Sequence, residues 1–422
     1  MITQLRLRNF KNFEDATLTL GPLTVIAGAN AAGKSNLRDA FRFLHGIGRG
    51  YSVAEIIGEK WSAGGVMDWA GIRGGTKEVA FHGKDGFEIG VGIQDAQPAY
   101  GGGQYDYHLH ISLRTPDHTP RVIEERLVQD EKRLFWTQQM KSRADLSFGF
   151  VPIPPADPAT HWLNFPSSKP MLVQAMSDLT LVSHGYLRAQ PVIDAFASSR
   201  FLDLSPTAMR LPSIPGQVVL GDRGDNLSSV LQAICADERK KSALLDWVRQ
   251  LTPMDAVDFD FPDDQTGRVL LTLVEADGRR TSAYSASDGT LRLLAILAAL
   301  LGPEPARFYF LEELENGIHP NRLALLVQLI ETTTAQGKTQ VVATTHSPQL
   351  LRLLSRETLE HASVVYRLPG TSAGRIKRIV EIPHIREVLE TQDLARLHES
   401  GWLEDILNFS EAPDPDEAAV VA

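Results

Sequence analysis

The feature that most constrains the fold of this 422-residue chain is a short, mostly apolar run that ends in a glycine-rich loop. Residues 23–27 read LTVIA, and residues 28–35 follow with the order glycine, four residues, glycine, lysine, serine. Glycines let such a loop curl until successive backbone N–H groups point at one anion, and a following helix turns its positive N-terminal end to the same place. The segment therefore predicts a buried strand, a phosphate-binding loop and a helix over residues 36–44.

The residue types in this loop suit the chemistry of a nucleotide phosphate. Lys34 can place its charge on the outer phosphates, and the hydroxyl of Ser35 can bind Mg²⁺. The alternative interpretation is a chance glycine-rich turn, but the strand before the loop and the helix after it favour the phosphate site. The predicted nucleotide-binding residues of this loop are Gly28, Ala29, Asn30, Ala31, Ala32, Gly33, Lys34, Ser35 and Asn36.

A second apolar run, Phe308–Leu311, ends in two carboxylates, Glu312 and Glu313. A buried strand of this kind can hold a carboxylate rigidly beside a phosphate loop. Glu312 is then the acid that orients the Mg²⁺ shell, and Glu313 is the base that polarises an attacking water. A helix cap or a surface pair of acids is the alternative interpretation, which the apolar run before the pair disfavours.

Two further motifs indicate the same kind of chemistry. Ser287 and Gly289 open an apolar helix predicted over residues 291–301, where a Ser-x-Gly turn is either an anion site or a simple N-cap. His346 follows residues 340–344, which are predicted to form a buried strand, and ligand sites in open α/β sheets gather where strands end. A lone histidine is more often structural, but this position favours a functional role.

Strand-like and helix-like runs alternate at both ends of the chain, which predicts an α/β fold with a parallel sheet. Predicted strands of the middle region lie at 79–82, 87–91, 105–113 and 269–274; predicted helices lie at 171–183, 191–196, 227–251, 321–335 and 348–354. We expect four parts: the N-terminal half of a nucleotide-binding domain at 1–45, an inserted β-rich and helical region at 46–282, the C-terminal half of the domain at 283–370, and an extension with a flexible acidic tail at 371–422.

Composition limits the classes of function. The formal net charge is −10, so the surface as a whole does not suit nucleic acid, and such a contact needs a local basic patch. The basic run at 239–241 is either a solvated helix face or a DNA contact. The single cysteine, Cys235, excludes an intramolecular disulfide. Residues 1–6 hold no signal-peptide core and no apolar run approaches the ~20 residues of a membrane span, so we expect a cytoplasmic protein without a membrane partner.

Taken in chain order, these motifs resemble those of ABC-type P-loop ATPases, and more narrowly those of the RecF/SMC-like and OLD-like group of AAA ATPases. Residues 311–320, LEELENGIHP, are similar to that group's DEPENGLHP segment. Residues 287–292, SDGTLR, match its signature, and residues 7–13, LRNFKNF, look like its opening. Glu312 and Leu314 depart from the pattern, since they stand where the group has Asp and Pro.

The resemblance implies a P-loop NTPase fold of the ABC-head type, with a mixed α+β region inserted between the P-loop half and the signature half. It also implies ATP and Mg²⁺ as ligands, and a homodimer that closes head to tail around ATP. The implied roles are Glu313 as catalytic base, His346 as γ-phosphate sensor, Glu312 with Ser35 at Mg²⁺, Ser287 and Gly289 at the γ-phosphate bound by the opposite subunit, and Asn316 and Gly317 in the D-loop. Equal candidates for the family's Q-loop glutamine are Gln94, Gln97 and Gln104.

Three functions fit these motifs. The first is an ATP-driven dimeric switch that acts on DNA, in repair or anti-phage defence, with a separately encoded nuclease or effector. Residues 356–422 are too few for the nuclease domain that some relatives carry there, so we expect no nuclease activity from the chain alone. The second is an ATP-gated protein-interaction switch without DNA contact, which the acidic net charge favours. The third is the motor subunit of a membrane transporter, against which the RecF-like signature and the inserted region argue.

Overall fold

In the computed structural model, the described part of the chain comprises residues 1–96, 102–115, 117–139, 146–151, 161–175, 186–385, 387–388, 396–397 and 406. Its strands are β1 (Ile2–Phe10), β2 (Phe13–Thr19), β3 (Leu23–Ala27), β4 (Lys60–Trp61), β5 (Met67–Trp69), β6 (Gly86–Asp95), β7 (Gly103–Ser112), β8 (Arg121–Gln129), β9 (Lys132–Gln139), β10 (Leu146–Val151), β11 (His161–Pro166), β12 (Ser199–Leu202), β13 (Ala256–Asp260), β14 (Thr272–Glu275), β15 (Arg280–Ser282), β16 (Phe308–Leu311), β17 (Gln340–Thr345), β18 (Ser363–Arg367) and β19 (Gly374–Arg378).

The helices of the described residues connect these strands. They are α1 (Lys34–Gly48), α2 (Val53–Ile57), α3 (Gly75–Glu78), α4 (Met171–Gln174), α5 (Gln190–Ala197), α6 (Pro206–Met209), α7 (Leu227–Cys235), α8 (Glu238–Leu251), α9 (Asp288–Leu301), α10 (Pro320–Thr334), α11 (Pro348–Arg352) and α12 (Arg356–Leu359). No helix in the described ranges has the length and apolar character needed to cross a bilayer.

A six-stranded sheet, in the order β12-β16-β17-β3-β18-β19, carries the N-terminal and C-terminal motifs. Its strands are parallel except for β19. Every residue of β3, β16 and β17 is buried, as expected for a parallel sheet covered on both faces. Ala27 pairs with Thr345, and Leu311 with Ala343, so the three strands end side by side. The predicted α/β fold and the strands at 23–27, 308–311 and 340–344 are confirmed.

The parallel sheet separates two hydrophobic cores, because alternate residues of each strand point to opposite faces. Phe308 and Phe310 of β16 belong to the core that contains α1, whereas Tyr309 and Leu311 belong to the core that contains α7, α8, α9 and α10. The ring centroids of Phe41, on α1, and Phe308 are 4.8 Å apart. This aromatic packing fixes the helix after the glycine loop against the strand that precedes the two glutamates.

An eight-stranded antiparallel sheet, in the order β11-β10-β9-β8-β7-β6-β1-β2, joins the N-terminal hairpin to strands from the middle of the chain. Leu5 of β1 lies opposite Leu18 of β2 on one side and Val91 of β6 on the other. β12, which also comes from the middle of the chain, is instead an edge strand of the parallel sheet. The segment 46–282 thus contributes to both sheets, and the fourfold division of the chain stays a prediction.

The prediction of a strand at residues 79–82 is wrong. The helix α3 ends just before this segment, and Phe81–Gly83 form a 3₁₀ turn. His82 and Gly83 adopt left-handed φ values of +43° and +69°, which a strand does not allow. Only an isolated bridge between Phe10 and Ala80 resembles strand pairing.

Several predicted helices and strands are correct in position but not in extent. The single helix predicted at 227–251 is two helices, because the side chain of Asp237 accepts the N–H groups of Arg239 and Lys240 and starts α8. The strand predicted at 269–274 begins at Thr272. Helices predicted at 36–44 and 348–354 run over Lys34–Gly48 and Pro348–Arg352. Of the helix predicted at 171–183, residues 176–183 lie outside the described residues, as does the tail from 410.

A buried carboxylate, Glu125 on β8, ties the antiparallel sheet to the start of α4. Its oxygens accept hydrogen bonds from the Tyr107 hydroxyl at 3.0 Å, from the Met171 N–H at 2.5 Å and from the Leu172 N–H at 2.9 Å. Burial raises the pKa of Glu125 from 4.5 to about 7, against the opposing effect of these three donors. The folded chain therefore binds a proton here more tightly than the unfolded chain does.

Glu125 makes the stability of the protein depend on pH. Because its folded-state pKa is raised, the stabilisation from the bound proton is complete below pH 4.5 and is lost as the pH rises through 7. We expect this loss to be about 3 kcal/mol, and to be absent in Glu125→Gln, whose amide does not titrate. Urea unfolding of both proteins between pH 4.5 and 8 measures it. Glu124→Gln, at the exposed neighbouring position, should keep the wild-type slope, and a wild-type slope in Glu125→Gln would contradict the assignment.

Candidate active site

The loop at residues 28–35 connects the end of β3 to α1 in a conformation that needs its glycines. Gly28 and Gly33 have φ values of +149° and +128°. A Cβ atom on Gly28 would lie 2.2 Å from the carbonyl oxygen of Val365. No side chain caps α1, so the first N–H groups of this helix are available to an anion. The backbone therefore has the shape and polarity that the sequence pattern predicts for a phosphate cradle.

Lys34 closes this loop with its own side chain. Its Nζ donates to the carbonyl oxygens of Gly28 and, at 3.1 Å, of Ala29. Burial lowers the pKa of Lys34, and the carboxylates of Glu313 and Glu315 oppose that effect. Phosphate oxygens would be stronger partners for the ammonium group than these carbonyls are, because charge-assisted hydrogen bonds are the stronger kind.

The two glutamates after β16 take different partners. Glu312 lies 3.6 Å from Nη1 of Arg38, on α1. Glu313 has a left-handed φ of +50°, and its N–H donates to Oγ1 of Thr344 at 3.1 Å. Its Oε1 lies 3.2 Å from Nε2 of His346, and both side chains are about two-fifths exposed, at 45% and 40%. The strained backbone thus turns the Glu313 carboxylate out toward the histidine, where water has access.

One pocket of about 250 Å³ collects most of the predicted site residues. It is lined by Ala29, Asn30, Ala31, Gly33, Lys34, Ser35, Asn36, Arg73, Glu312, Glu313, Thr344 and His346. Gly28 and Ala32 belong to the loop but do not line the pocket. The hydroxyl of Ser35 and the carboxylate of Glu312 share the pocket, and Mg²⁺ commonly takes one or two protein oxygens together with phosphate oxygens. The donor set therefore fits a magnesium nucleotide.

Ser287 and Gly289 are not part of this pocket. Ser287 caps α9, with its Oγ accepting the N–H of Thr290 at 3.1 Å. A Cβ atom on Gly289 would lie 2.1 Å from the carbonyl oxygen of Gly317, so only glycine allows this contact. Both residues line a separate cleft that also contains His319. Within one chain, the signature turn and the phosphate loop are therefore two distinct surfaces.

A guanidinium group holds the signature turn from outside. Nη2 of Arg210 donates to the carbonyl oxygen of Ala286 at 2.8 Å and to Oδ1 of Asp288 at 2.7 Å. Its Nε donates to the carbonyl oxygen of Tyr284 at 3.4 Å. Ser287 lies between these anchor points, so Arg210 fixes the direction in which the start of α9 faces. Sequence reasoning missed this residue, because nothing local to Arg210 indicates a partner more than 70 positions away.

Sequence reasoning also missed two residues beside the phosphate loop. Arg73 lines the pocket, and its guanidinium pairs with the buried Asp39 at 3.0 Å and donates to the carbonyl oxygen of Ser35. Asn12 donates to the carbonyl oxygen of Ala32 at 2.9 Å and accepts from Nδ2 of Asn36 at 2.7 Å. Asn12 lies in the segment that resembles the family's opening, which was a usable signal, whereas Arg73 lies in a glycine-rich stretch without a pattern.

Glu315 supports the loop that carries His346. Its Oε1 accepts the N–H of His346 at 3.0 Å and the N–H of Ser347 at 3.1 Å.

The Q-loop glutamine is not identified. Gln94 and Gln104 pair across β6 and β7 and do not line the phosphate pocket, and Gln97 lies outside the described residues.

A family model and a relative of known name each match most of the chain. A family model described as "AAA domain, putative AbiEii toxin, Type IV TA system" matches residues 23–352. The chain is 22% identical over 364 residues to an ATP/GTP phosphatase of Helicobacter pylori (strain ATCC 700392 / 26695), covering 84% of this chain and 88% of that protein.

Solved structures similar to this chain include two SMC heads. One is an SMC head bound to the C-winged helix domain of ScpA, with 12% identity, a TM-score of 0.47, and coverage of 89% of this chain and 96% of that one. The other is the SMC head domain from Thermotoga maritima, with 12% identity, a TM-score of 0.41, and coverage of 90% and 98%.

Proposed function

This chain belongs to the AAA-domain family matched over residues 23–352. We propose that it is an ABC-type P-loop ATPase of the RecF/SMC-like group and that it hydrolyses ATP between two copies of itself. The observation that carries the proposal is the single pocket in which the phosphate loop, Glu312, Glu313 and His346 meet. A cytoplasmic location is part of the proposal, since ATP is an intracellular metabolite.

The side chains of the pocket divide the work of hydrolysis. Lys34 and the N-terminal end of α1 would neutralise the phosphate charges. Glu313 would accept the proton of the attacking water as its oxygen bonds to the γ-phosphorus and the bond to the bridging oxygen breaks. His346, 3.2 Å from Glu313, would stabilise the position of that carboxylate and contact the γ-phosphate. Ser35 and Glu312 would hold Mg²⁺, whose charge offsets that of the phosphate oxygens.

The separate position of the signature turn supports a second copy of the chain as partner. A Ser-x-Gly turn at a helix N-terminus is suited to an anion, and among the described residues none of the phosphate loop lines that cleft. In a head-to-tail dimer, Ser287 and Gly289 of one copy would face the phosphate loop of the other. Because the arrangement has two-fold symmetry, each dimer would contain two such composite sites.

We propose that the ATP-bound dimer acts in anti-phage defence or DNA repair with a separately encoded nuclease or effector. The resemblance of residues 287–292 and 311–320 to the RecF/SMC-like and OLD-like group supports these pathways, and the family description refers to a toxin–antitoxin system. The alternative is an ATP-gated protein-interaction switch without DNA contact. Lys241, in the basic run on α8, pairs with Asp258 at 2.7 Å, which favours a solvated face over a DNA contact. ATPase activity stimulated by DNA would favour the first proposal, and tight binding of a protein partner without such stimulation would favour the alternative.

The mass of Glu313→Gln in solution tests the dimer. We expect it to roughly double when ATP and Mg²⁺ are added, because loss of the base leaves ATP bound between the two copies. Light scattering after size-exclusion chromatography provides the measurement. Glu304→Gln, an exposed acid on another loop, is the control and should dimerise only transiently, since it still hydrolyses ATP. A Glu313→Gln protein that binds ATP and stays monomeric would contradict the proposed composite site.

A further inference from the structure

A second pocket lies along α1, beyond the phosphate loop. It has a volume of about 470 Å³ and lies between this helix, the β4–β5 hairpin and β12. Three arginine side chains line it: Arg42 and Arg49 near the C-terminal half of α1, and Arg200 on β12. We propose that this arginine pocket binds a phosphate-bearing anion. The site is distinct from the ATP pocket, and only its test uses the nucleotide binding proposed above.

The guanidinium groups of the arginine pocket keep most of their donors free. Within the described part of the chain, none of the three forms an ion pair with a carboxylate. The guanidinium of Arg42 lies 4.9 Å from the ring centroid of Trp69, and that of Arg49 lies 5.2 Å from the ring centroid of Tyr51. Arg200 donates only to a backbone carbonyl, at 3.4 Å. A guanidinium offers five donors in a planar fork that matches phosphate oxygens, so these groups can bind an anion without breaking an existing ion pair.

The charge balance of the pocket is positive. Two exposed acids, Asp68 and Asp222, line it together with the three arginines. His45 adds no charge, because burial lowers its pKa to about 4. The hydrogen bond between its Nδ1 and the carbonyl oxygen of Phe196, at 2.9 Å, opposes that shift, and the three arginines reinforce it. Burial is the main cause of this shift, so His45 stays neutral and the charge of the pocket is set by its three arginines and two acids.

The pocket suits the phosphate group itself rather than a base or sugar. Trp69 is only 6% exposed, so its ring face is not available for stacking with a nucleobase. Arg38, one turn before Arg42 on the same face of α1, lies 3.6 Å from Glu312. A row of arginines thus runs from the ATP pocket to the arginine pocket. The same phosphate chemistry could come from a free phosphate compound or from a nucleic-acid backbone.

Binding of two phosphate probes to the protein saturated with ADP tests the proposal, since ADP occupies the phosphate loop. The probes are inorganic pyrophosphate, measured by calorimetry, and a labelled single-stranded oligonucleotide of about 12 residues, measured by anisotropy at about 50 mM salt. We expect Arg42→Gln/Arg200→Gln to weaken binding of pyrophosphate by at least about tenfold while leaving ADP affinity unchanged. Arg49→Gln, at an exposed position, should weaken the binding of pyrophosphate by at least about threefold. This single variant tests the pocket even if the double variant fails to fold.

The matched control removes two charges elsewhere. Arg239→Gln/Lys240→Gln alters the basic run on α8, outside the pocket. If the pocket variants, unlike the control, weaken the binding of pyrophosphate but not that of the oligonucleotide, the ligand is a free phosphate compound. If they weaken the binding of both probes, the ligand is a phosphodiester backbone. Both results support the pocket. Equal losses in the control and the pocket variants, or no binding of either probe to the ADP-saturated protein, overturn the proposal.

Discussion

Replacing Glu313 with glutamine is expected to lower the rate of ATP hydrolysis by about 10²–10⁴-fold while changing ATP affinity by less than about threefold. The glutamine keeps the shape of the side chain but cannot accept a proton from water. The phosphate contacts of the loop and of Lys34 remain, so binding is preserved. The variant therefore separates the chemical step from the binding of substrate.

Steady-state phosphate release and equilibrium binding of a fluorescent ATP analogue measure the two quantities. Glu304→Gln is again the control and should retain wild-type values for both. A Glu313→Gln enzyme that turns over at half the wild-type rate would assign the base elsewhere. A variant that loses turnover and ATP affinity together would mean that Glu313 shapes the pocket rather than acting on water.

The phosphate site was predictable because it depends on a local loop motif and on several apolar strands that each show the same simple pattern in the sequence. The loop at 28–35 has fixed glycine spacing, and the strands at 23–27, 308–311 and 340–344 are apolar over their whole length. Parallel strands of one sheet end at the same edge, so the polar residues after each of them meet. Glu313 and His346, 33 positions apart in sequence, lie 3.2 Å apart for this reason.

The residues that sequence reasoning missed depend on contacts between distant segments. Arg38 contacts Glu312 only because α1 packs on β16 through Phe41 and Phe308. Arg210 reaches the signature turn from the position directly after the short helix α6, in the middle of the chain. No periodicity or spacing in the sequence predicts such pairs, because an arginine side chain is equally compatible with an exposed surface. The arginine pocket has the same origin, since Arg42 and Arg200 come from separate elements.

The order in which strands pair in the antiparallel sheet could not be predicted from the sequence either. The strand patterns at 87–91 and 105–113 were recognisable from their apolar residues, and β6 and β7 confirm them. The partner of β6 on its other side is β1, more than 75 positions away. A strand pattern states which face is buried but not which strand lies beside it, so it could not predict that the N-terminal hairpin continues into the middle of the chain.

A mixture of two inactive variants is expected to recover about a quarter of the wild-type ATPase activity if the signature acts across a dimer. The first variant, Lys34→Ala, removes the ammonium group from the phosphate loop. The second, Ser287→Glu, places a negative charge where the γ-phosphate of the other copy would lie, while a carboxylate at a helix N-terminus still favours folding of α9. Gly289 is unsuitable for this purpose, because a Cβ atom there would lie 2.1 Å from the carbonyl oxygen of Gly317 and would disturb the fold of the chain itself.

The expected recovery follows from the geometry of a head-to-tail dimer. Random pairing makes about half of the dimers mixed, and one of the two sites in each mixed dimer combines an intact loop with an intact signature. Lys34→Ala mixed with Glu313→Gln is the matched control, because both changes damage the loop side of a site and no intact site can form. Recovery in the first mixture alone requires that Ser287 act in trans. Equal activity in the two mixtures, or full activity of Ser287→Glu by itself, would mean that the Ser-x-Gly turn only caps its helix and that each chain hydrolyses ATP unaided.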